Sequence, residues 1–312
     1  MSKAGIKYRI KQKIKYHFSS DEIEKRIAEI NRYEEIISID KDSFSIKGDS
    51  NKFNISKHAF LLQNFNIFQI LSEQENIHFK ISDEIIYCLI DELKIAIYNA
   101  EEIFIIKEIW LDGCYNLDGL QLKNCVIMDV GMNVGMASLF FSTKEFVKKI
   151  YAYEPFKPTF EIAKLNIGLN KNLQNIIEFY NFGMSSKNEE IEVEYSSDHR
   201  GRTGIWGTDL VLDQIESSKK EKLELRDFNR ELERIIEENP NSPLVLKIDC
   251  EGSEYDIFQS LNEDLLKPVK CILMEWHLKG PDEIVEKLKS NGFSLLSFNS
   301  QSKKVGMIYA FK

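Results

Sequence analysis

The sequence predicts an α/β fold whose mostly parallel sheet ends in an antiparallel hairpin. From about residue 123, short apolar runs that suit buried strands alternate with helical segments. Such alternation is typical of a parallel sheet with right-handed crossovers. The last two predicted strands, 293–298 and 305–311, are joined by a polar loop that is too short for a parallel crossover, so they must pair antiparallel. We therefore predict a main domain over 123–312, preceded by an α+β accessory region over 1–122.

Hydrophobic patterning and turn residues place the elements of the main domain. The other predicted strands are 125–130, 149–153, 176–181, 190–195 (an edge strand), 244–248 and 270–275. The predicted helices are 135–143, 158–170, 225–238, 253–261 and 281–290. A parallel sheet that ends in one antiparallel hairpin disfavours a plain dehydrogenase domain, and it is the arrangement of a Rossmann-like methyltransferase sheet.

The accessory region has a more mixed pattern. Its basic opening, 3–17, carries Ile6, Ile10 and Ile14 at helical spacing, which suits a packing or frayed terminal helix, a membrane-surface helix or a homo-oligomer contact. Ser20 can cap a helix whose apolar stripe runs from Ile23 to Ile37. Short strands are predicted at 44–47, 53–55, 79–81 and 95–98, and a helix at 101–110. We expect this region to cover or extend the main domain.

Bulk properties exclude several classes of protein. The net charge of −9 argues against general nucleic-acid binding, which usually requires a basic face. Five cysteines without CxxC or CxxH spacing indicate reduced thiols and no zinc site. No apolar run approaches the roughly 18–20 residues of a transmembrane segment, and the N-terminus lacks the apolar stretch of a signal peptide. We expect a cytoplasmic enzyme with a small-molecule or glycan acceptor.

The segment 129–135 follows the first strand of the main domain and opens a helix. Ligands bind at this edge of an open α/β sheet. Gly131 permits a tight turn and Gly135 permits close helix packing, but the spacing does not match the GxGxxG of dinucleotide binders. Asp129 would repel a pyrophosphate and suits a cationic or hydroxyl-bearing ligand, such as the amino-acid part of S-adenosylmethionine. We expect Asp129, Gly131, Asn133 and Gly135 to contact this ligand; a purely structural turn is the alternative.

Glu154 ends the second predicted strand of the main domain. An acidic side chain at this position can accept hydrogen bonds from both hydroxyls of a ribose. Pro155 then turns the chain out of the strand. We expect both residues to belong to the cofactor site, although a solvated glutamate at a strand end is the simpler alternative.

Two further strands end in polar residues that should face the same crevice. Asp249 and Glu251 follow one strand, and Glu275 and His277 end the next. Asp249, Glu251 and His277 are the candidate catalytic residues, because a carboxylate or an imidazole could remove a hydroxyl proton. Asp249 with Glu275 could instead bind a divalent cation, and His277 could be purely structural.

Glu254 and two arginines are weaker candidates for the site. Glu254 lies in the first turn of the helix after Glu251, where its charge suits the helix dipole, so we interpret it as a capping residue. Arg200 and Arg202 lie in the loop 196–207, which could close over an acceptor or be a surface loop.

Taken in order, these motifs resemble the FkbM family of methyltransferases. The matching segments are 129–135, 153–155, Asn166, 246–252 and 274–275, with 108–115 upstream, so the resemblance covers roughly 104–312. It implies an S-adenosylmethionine-dependent O-methyltransferase acting on a hydroxyl of a sugar, glycan or secondary metabolite. It also implies donor contacts at Asp129, Gly131 and Glu154, and it leaves metal dependence open. The alternatives are a nucleotide-binding Rossmann protein or a non-catalytic binding protein of the same fold.

Overall fold

The computed structural model describes residues 20–32, 36–40, 42–195, 219–277, 279–299 and 304–312. The chain divides into two compact units, Met1–Lys107 and Glu108–Lys312. The sequence placed the boundary after residue 122. In the structure, residues 108–122 belong to the C-terminal unit, where Trp110 and Tyr115 pack their rings against Phe140 and Phe141 respectively.

The N-terminal unit contains two small antiparallel sheets and several short helices. One sheet has β1 (Ile37–Asp40), β2 (Ser43–Ile46) and β3 (Lys52–Asn54), and the other has β4 (Ile77–Ser82), β5 (Ile85–Ile90) and β6 (Leu93–Ile97). The helices are α1 (Ser20–Ile30), α2 (Ile55–His58), α3 (Phe60–Gln63), α4 (Phe65–Ser72) and α5 (Ala100–Ile106). Stacked rings of Phe44 and Phe53, with centroids 5.1 Å apart, form part of its core.

Several predictions for this unit were confirmed, and others were wrong. β2, β3, β4 and β6 lie where short strands were expected. Helix α1 ends at Ile30, and Ile37 begins a strand instead of extending the apolar stripe of the helix. The helices between Ile55 and Ser72 were not predicted. Asn99 starts α5 through a capping box with Glu102, and a π-helical turn, Lys107–Leu111, continues it.

The C-terminal unit is built on a sheet of seven strands. They are β7 (Cys125–Val130), β8 (Val147–Tyr153), β9 (Ile177–Tyr180), β13 (Leu244–Ile248), β14 (Val269–His277), β15 (Ser294–Asn299) and β16 (Val305–Phe311), in the order β15-β16-β14-β13-β7-β8-β9. In this sheet the neighbouring strands β9, β8, β7, β13 and β14 pair in parallel. Strand β16 pairs antiparallel with both β14 and β15. The expected parallel sheet with a terminal antiparallel hairpin is confirmed, and the last strand is inserted between β14 and β15.

The helices of this unit connect its strands. They are α6 (Met136–Ser142), α7 (Lys157–Leu169), α8 (Phe228–Glu238), α9 (Ser253–Ser260) and α10 (Asp282–Ser290), with short 3-10 turns at Lys171–Leu173 and Glu263–Leu266. The main apolar core contains side chains from β7, β8, β13, β14 and β16 together with α8, α9 and α10. In the part of the chain that the structure describes, no helix is long and apolar enough to cross a membrane.

A second sheet in the C-terminal unit confirms one prediction and corrects another. It contains β10 (Gly183–Ser185), β11 (Glu189–Tyr195) and β12 (Lys219–Asp227), in the order β10-β12-β11. The alternating run 190–195 is therefore an edge strand, as predicted, and it lies in this second sheet instead of the main sheet. The helix predicted from residue 225 begins at Phe228, because Leu225 is still in β12 and Asp227 caps the helix by accepting the Asn229 N–H.

Candidate active site

The loop after β7 passes close to the backbone of the loop after β13. The amides of Gly131 and Met132 donate to the carbonyl oxygen of Tyr153 at the end of β8, at 3.1 and 2.8 Å. Gly131 has φ +81°, and a Cβ atom built on it would lie 1.7 Å from the carbonyl oxygen of Asp249. Only glycine fits here, because both the backbone conformation and the contact exclude a side chain. Gly135, with φ +87°, begins α6 and packs near Ala163 of α7.

Asp129 lies beneath this loop and is fully buried. One of its oxygens accepts a hydrogen bond from Ser138 Oγ at 2.6 Å, and the other lies 3.2 Å from Lys247 Nζ. Asp129 is one of the residues predicted to contact the ligand directly. In the structure its carboxylate is buried, and the charge of Lys247 balances it.

Lys247 is a site residue that the sequence analysis did not single out. Its ammonium group is buried, donates to the carbonyl oxygen of Gly131 at 2.6 Å and lies 3.6 Å from Asp249 Oδ2. Burial alone would lower the pKa of Lys247, but the charges of Asp129 and Asp249 outweigh it and raise this pKa. A signal was present in the sequence, since Lys247 is the one charged residue in the apolar strand Leu244–Ile248.

Glu154 lies where β8 ends, with 5 % of its surface exposed. Its two oxygens accept hydrogen bonds from the backbone amides of Asn133 and Phe156, both at 2.9 Å. Burial raises the pKa of Glu154 to about 7, although these two hydrogen bonds oppose the shift. The Oδ1 atom of Asn133 is buried and has no hydrogen-bond partner among the described residues. The structure therefore brings Asn133 and Glu154 together where β8 ends.

Pro155 continues the chain out of the strand. Asn181 Nδ2 donates to the carbonyl oxygens of both Glu154 and Pro155, at 2.9 and 3.0 Å. A Cβ atom on Gly183 would lie 3.2 Å from the Pro155 ring, so the two residues are in close contact. Asn181 and Gly183 thus hold the chain where it leaves β8.

The polar residues after β13 and at the end of β14 form one cluster. His277 Nε2 lies 3.5 Å from Glu251 Oε2 and 3.8 Å from Glu275 Oε1. The ligand-type atoms of Asp249, Glu251 and His277 all lie within 4.8 Å of one another. Asp249 and Glu275 are the pair predicted from the sequence as possible metal ligands. Glu275 lies beside this group of three, and burial and the charge of Asp249 raise its pKa.

Glu254 fixes the position of His277. Its Oε1 accepts the His277 backbone amide at 2.7 Å and lies 3.1 Å from His277 Nδ1, while Oε2 accepts the Gly252 amide at 2.7 Å. Glu254 therefore does satisfy a backbone amide near the start of α9, and it also holds the histidine, which was not predicted. Burial alone would lower the pKa of His277, but Glu254 and Glu251 raise it to about 10.

The segment 108–115 lies close to these charges within the C-terminal unit. Lys247 Nζ lies 5.9 Å from the centre of the Tyr115 ring, which is buried. Burial and the charges of Glu108 and Asp249 raise the pKa of Cys114 to about 12, so this thiol is not ionised at neutral pH. Within this segment, Tyr115 supplies a buried aromatic ring near Lys247.

Some predicted features lie outside the described residues. These are Arg200 and Arg202 with the loop 196–207, and the basic opening stretch with Ile6, Ile10 and Ile14.

The fold and the site define a class of protein. A seven-stranded sheet whose last strand is antiparallel, with polar residues gathered after β7, β8, β13 and β14, is a Rossmann-like methyltransferase fold. The family model described as the methyltransferase FkbM domain matches residues 129–295, and the chain belongs to this family.

Individual relatives share only about a quarter of their residues, or fewer, with this chain. The chain is 26 % identical over 222 residues to methyltransferase sdnD of Sordaria araneosa, covering 64 % of this chain and 85 % of that protein. It is 26 % identical over 204 residues to methyltransferase 1 of Beauveria bassiana, covering 62 % and 81 %. The crystal structure of methyltransferase FkbM from Methylobacillus flagellatus KT aligns with a TM-score of 0.42 and 13 % identity, over 81 % of this chain and 60 % of that one.

Proposed function

We propose that this protein transfers the methyl group of S-adenosylmethionine to a hydroxyl oxygen of a sugar, glycan or secondary metabolite. The proposal rests on one observation: hydrogen-bond acceptors and carboxylates lie at the same edge of the sheet. The loop 129–135 and Glu154 offer hydrogen-bond acceptors for a nucleoside. Asp249 and Glu251, beside His277, offer carboxylates that can accept a proton.

The residues around Glu154 fit this donor. Asn133 Oδ1 is a buried acceptor without a partner among the described residues, next to a carboxylate whose oxygens each retain a second lone pair. Two such acceptors suit the vicinal hydroxyls of a ribose. Asp129 and Lys247 hold the loop that carries Asn133, so we assign them a positioning role.

S-adenosylmethionine supplies an activated methyl group: its S–CH3 bond breaks as the acceptor O–CH3 bond forms, and the sulfonium becomes a neutral thioether. The protein must align the hydroxyl with that bond and accept the hydroxyl proton. We assign the proton to Asp249, whose side chain is 28 % exposed. His277, with a pKa of about 10, is already protonated at neutral pH and instead holds Glu251 through a charged contact.

Calorimetry with S-adenosylmethionine tests whether the protein binds this methyl donor as proposed. Replacing a carboxylate that accepts ligand hydroxyls costs about 1.5–3 kcal/mol, so Glu154→Ala should weaken binding by roughly 10- to 100-fold. Glu161→Ala is a matched control, because Glu161 is exposed on α7, the helix that follows Glu154. Equal affinity of the parent and Glu154→Ala, or no binding by the parent, would contradict the proposal.

Methyl transfer to a hydroxyl is tested with a panel of sugars, glycans and hydroxylated metabolites as acceptors. Release of S-adenosylhomocysteine is the readout. Methylation at oxygen, identified by mass spectrometry and NMR of the product, is the expected result. Donor binding without transfer to any member of the panel would favour a non-catalytic binding protein of this fold.

A further inference from the structure

Asp249, Glu251 and His277 lie close enough together to share one ligand. His277 Nε2 is 3.5 Å from Glu251 Oε2, beyond the usual length of an N–H···O hydrogen bond, about 2.7–3.2 Å. All three ligand-type atoms lie within 4.8 Å of one another. Ligands about 2.1 Å from one cation are about 3 Å apart at right angles and about 4 Å apart when opposite. Small rotations of the two carboxylate side chains would therefore bring this set around a cation.

The orientation of His277 is an independent observation. Its side chain is 5 % exposed, and its Nδ1 faces Glu254, which is fully buried and is itself fixed by two backbone amides. This contact directs Nε2 toward the cluster. A carboxylate that holds the far nitrogen of a histidine is the usual support of a histidine that binds a metal.

The charges of the cluster also call for a cation. Asp249, Glu251 and Glu275 lie near His277 or near one another, and the nearby Lys247 is shared between Asp129, Asp249 and the Gly131 carbonyl oxygen. Without a metal, the His277 imidazolium adds one positive charge to these three carboxylates. A divalent cation in place of the Nε2 proton would add one more and further relieve their repulsion.

We propose that Asp249, Glu251 and His277 Nε2 bind a divalent transition-metal cation, with Glu254 as the positioning residue for His277. One imidazole nitrogen with two carboxylates suits Mn²⁺ or a similar ion better than Ca²⁺ or Mg²⁺, which favour all-oxygen sites. The cation takes the place of the proton on Nε2.

The role of this cation rests on the proposed function. The side chains of Asp249 and Glu251 are 28 % and 20 % exposed, so one side of the site is accessible to an acceptor. A hydroxyl that coordinates the cation loses its proton more readily. Asp249 would bind the cation through one oxygen and receive the hydroxyl proton on the other.

Mn²⁺ titration of the full chain, without donor or acceptor, tests the site directly. The electron paramagnetic resonance signal of free Mn²⁺ should fall until a single site is filled, and echo-modulation spectra of the bound ion should show coupling to an imidazole nitrogen. Absence of binding would overturn the proposal in favour of a simple ion pair between His277 and Glu251. Binding without nitrogen coupling would also overturn it.

Variants assign the ligands. Glu251→Gln and Asp249→Asn should each weaken Mn²⁺ binding at least tenfold. His277→Ala should weaken it as well and should also remove the nitrogen coupling. Glu254→Gln should weaken Mn²⁺ binding by roughly 10- to 100-fold, because Glu254 positions His277. Glu286→Gln is the control, since Glu286 lies on α10 outside the cluster. Circular dichroism identifies any variant that fails to fold. Glu251→Gln is the decisive change because its side chain is partly exposed. Mn²⁺ affinity unchanged in folded Glu251→Gln would contradict the assignment.

A parallel titration with S-adenosylhomocysteine separates this proposal from the proposed function. Mn²⁺ binding without donor binding would support the metal site while contradicting the methyltransferase mechanism. Donor binding without Mn²⁺ binding would overturn the metal site alone.

Discussion

Lys247 of β13 donates a hydrogen bond of 2.6 Å to the carbonyl oxygen of Gly131. A side chain from the middle of the sheet therefore holds the loop that follows the neighbouring strand, β7. The same ammonium group balances Asp129 below the loop and contacts Asp249 at the end of its own strand. One buried lysine thus couples the expected donor loop to the carboxylate cluster.

Lys247→Met should destabilise the protein by about 3–5 kcal/mol, because it leaves the carboxylate of Asp129 buried without a counter-charge. Urea unfolding monitored by circular dichroism measures the change. Lys148→Met, at an exposed lysine in β8, is the control and should lie within about 0.5 kcal/mol of the parent. A similar effect of both substitutions would show that the buried ion pair contributes nothing specific.

Gly131→Ala should destabilise the protein by at least about 2 kcal/mol and weaken donor binding more than tenfold. The new Cβ would lie 1.7 Å from the Asp249 carbonyl oxygen at a φ of +81°, so the loop must move. Gly168→Ala, in helix α7, meets no atom within 4 Å and should be neutral or stabilising by up to about 1 kcal/mol. Unfolding curves and calorimetry of both variants check this, and unchanged donor affinity in Gly131→Ala would contradict the loop's role.

The raised pKa of Glu154 predicts a pH dependence of stability. The folded protein keeps the Glu154 proton up to about pH 7, whereas the unfolded chain releases it near pH 4.5. Between these values the folded state binds more protons, so the free energy of unfolding from this group falls as pH rises, by on the order of 3 kcal/mol, and is constant above pH 7. Denaturant titrations from pH 5 to 8 should give the same slope in the parent and in Glu161→Gln, and a shallower slope in Glu154→Gln. Some slope remains in Glu154→Gln because Glu275 and His277 also have raised pKa values. An unchanged slope in Glu154→Gln would show that Glu154 does not contribute to it.

Asp249→Asn should lower kcat about 100-fold or more while leaving the affinity for S-adenosylmethionine within about twofold, because an amide cannot accept the hydroxyl proton. Steady-state kinetics with an acceptor from the panel, together with calorimetry, separate the two effects. Asp256→Asn, on helix α9, is the matched control. A full turnover rate in Asp249→Asn would remove this residue from the mechanism.

Gly306→Ala should destabilise the hairpin that lies against β14. A Cβ atom there would lie 2.2 Å from the Phe298 carbonyl oxygen and 2.7 Å from Nε1 of the buried Trp276, so overpacking should cost about 1–3 kcal/mol or more. Because Trp276 precedes His277, tryptophan fluorescence reports on this part of the site. Gly119→Ala, which meets no atom within 4 Å, should leave both stability and fluorescence unchanged. Equal stability of the two variants would show that the Gly306 strand can shift without cost.

Local patterns accounted for much of the C-terminal unit. The apolar runs at β7 and β13, the glycines after β7 and the closing hairpin are short-range features, so the sequence could place them. The strand β12 escaped prediction because its alternating lysines and glutamates do not resemble a strand until they pair with the opposite charges of β11. The helices between Ile55 and Ser72 are shorter than the window in which periodicity is visible.

The sequence by itself determined the class of fold, the membership of the FkbM family and the strand ends that carry polar groups, because each depends on residue order along the chain. Only the tertiary structure decided what those groups contact. It buried Asp129 against Lys247, directed His277 toward Glu251 through Glu254, and placed Glu275 beside the cluster instead of within it. These contacts join residues that are far apart in sequence, and burial then sets their charges, so no local pattern could specify them.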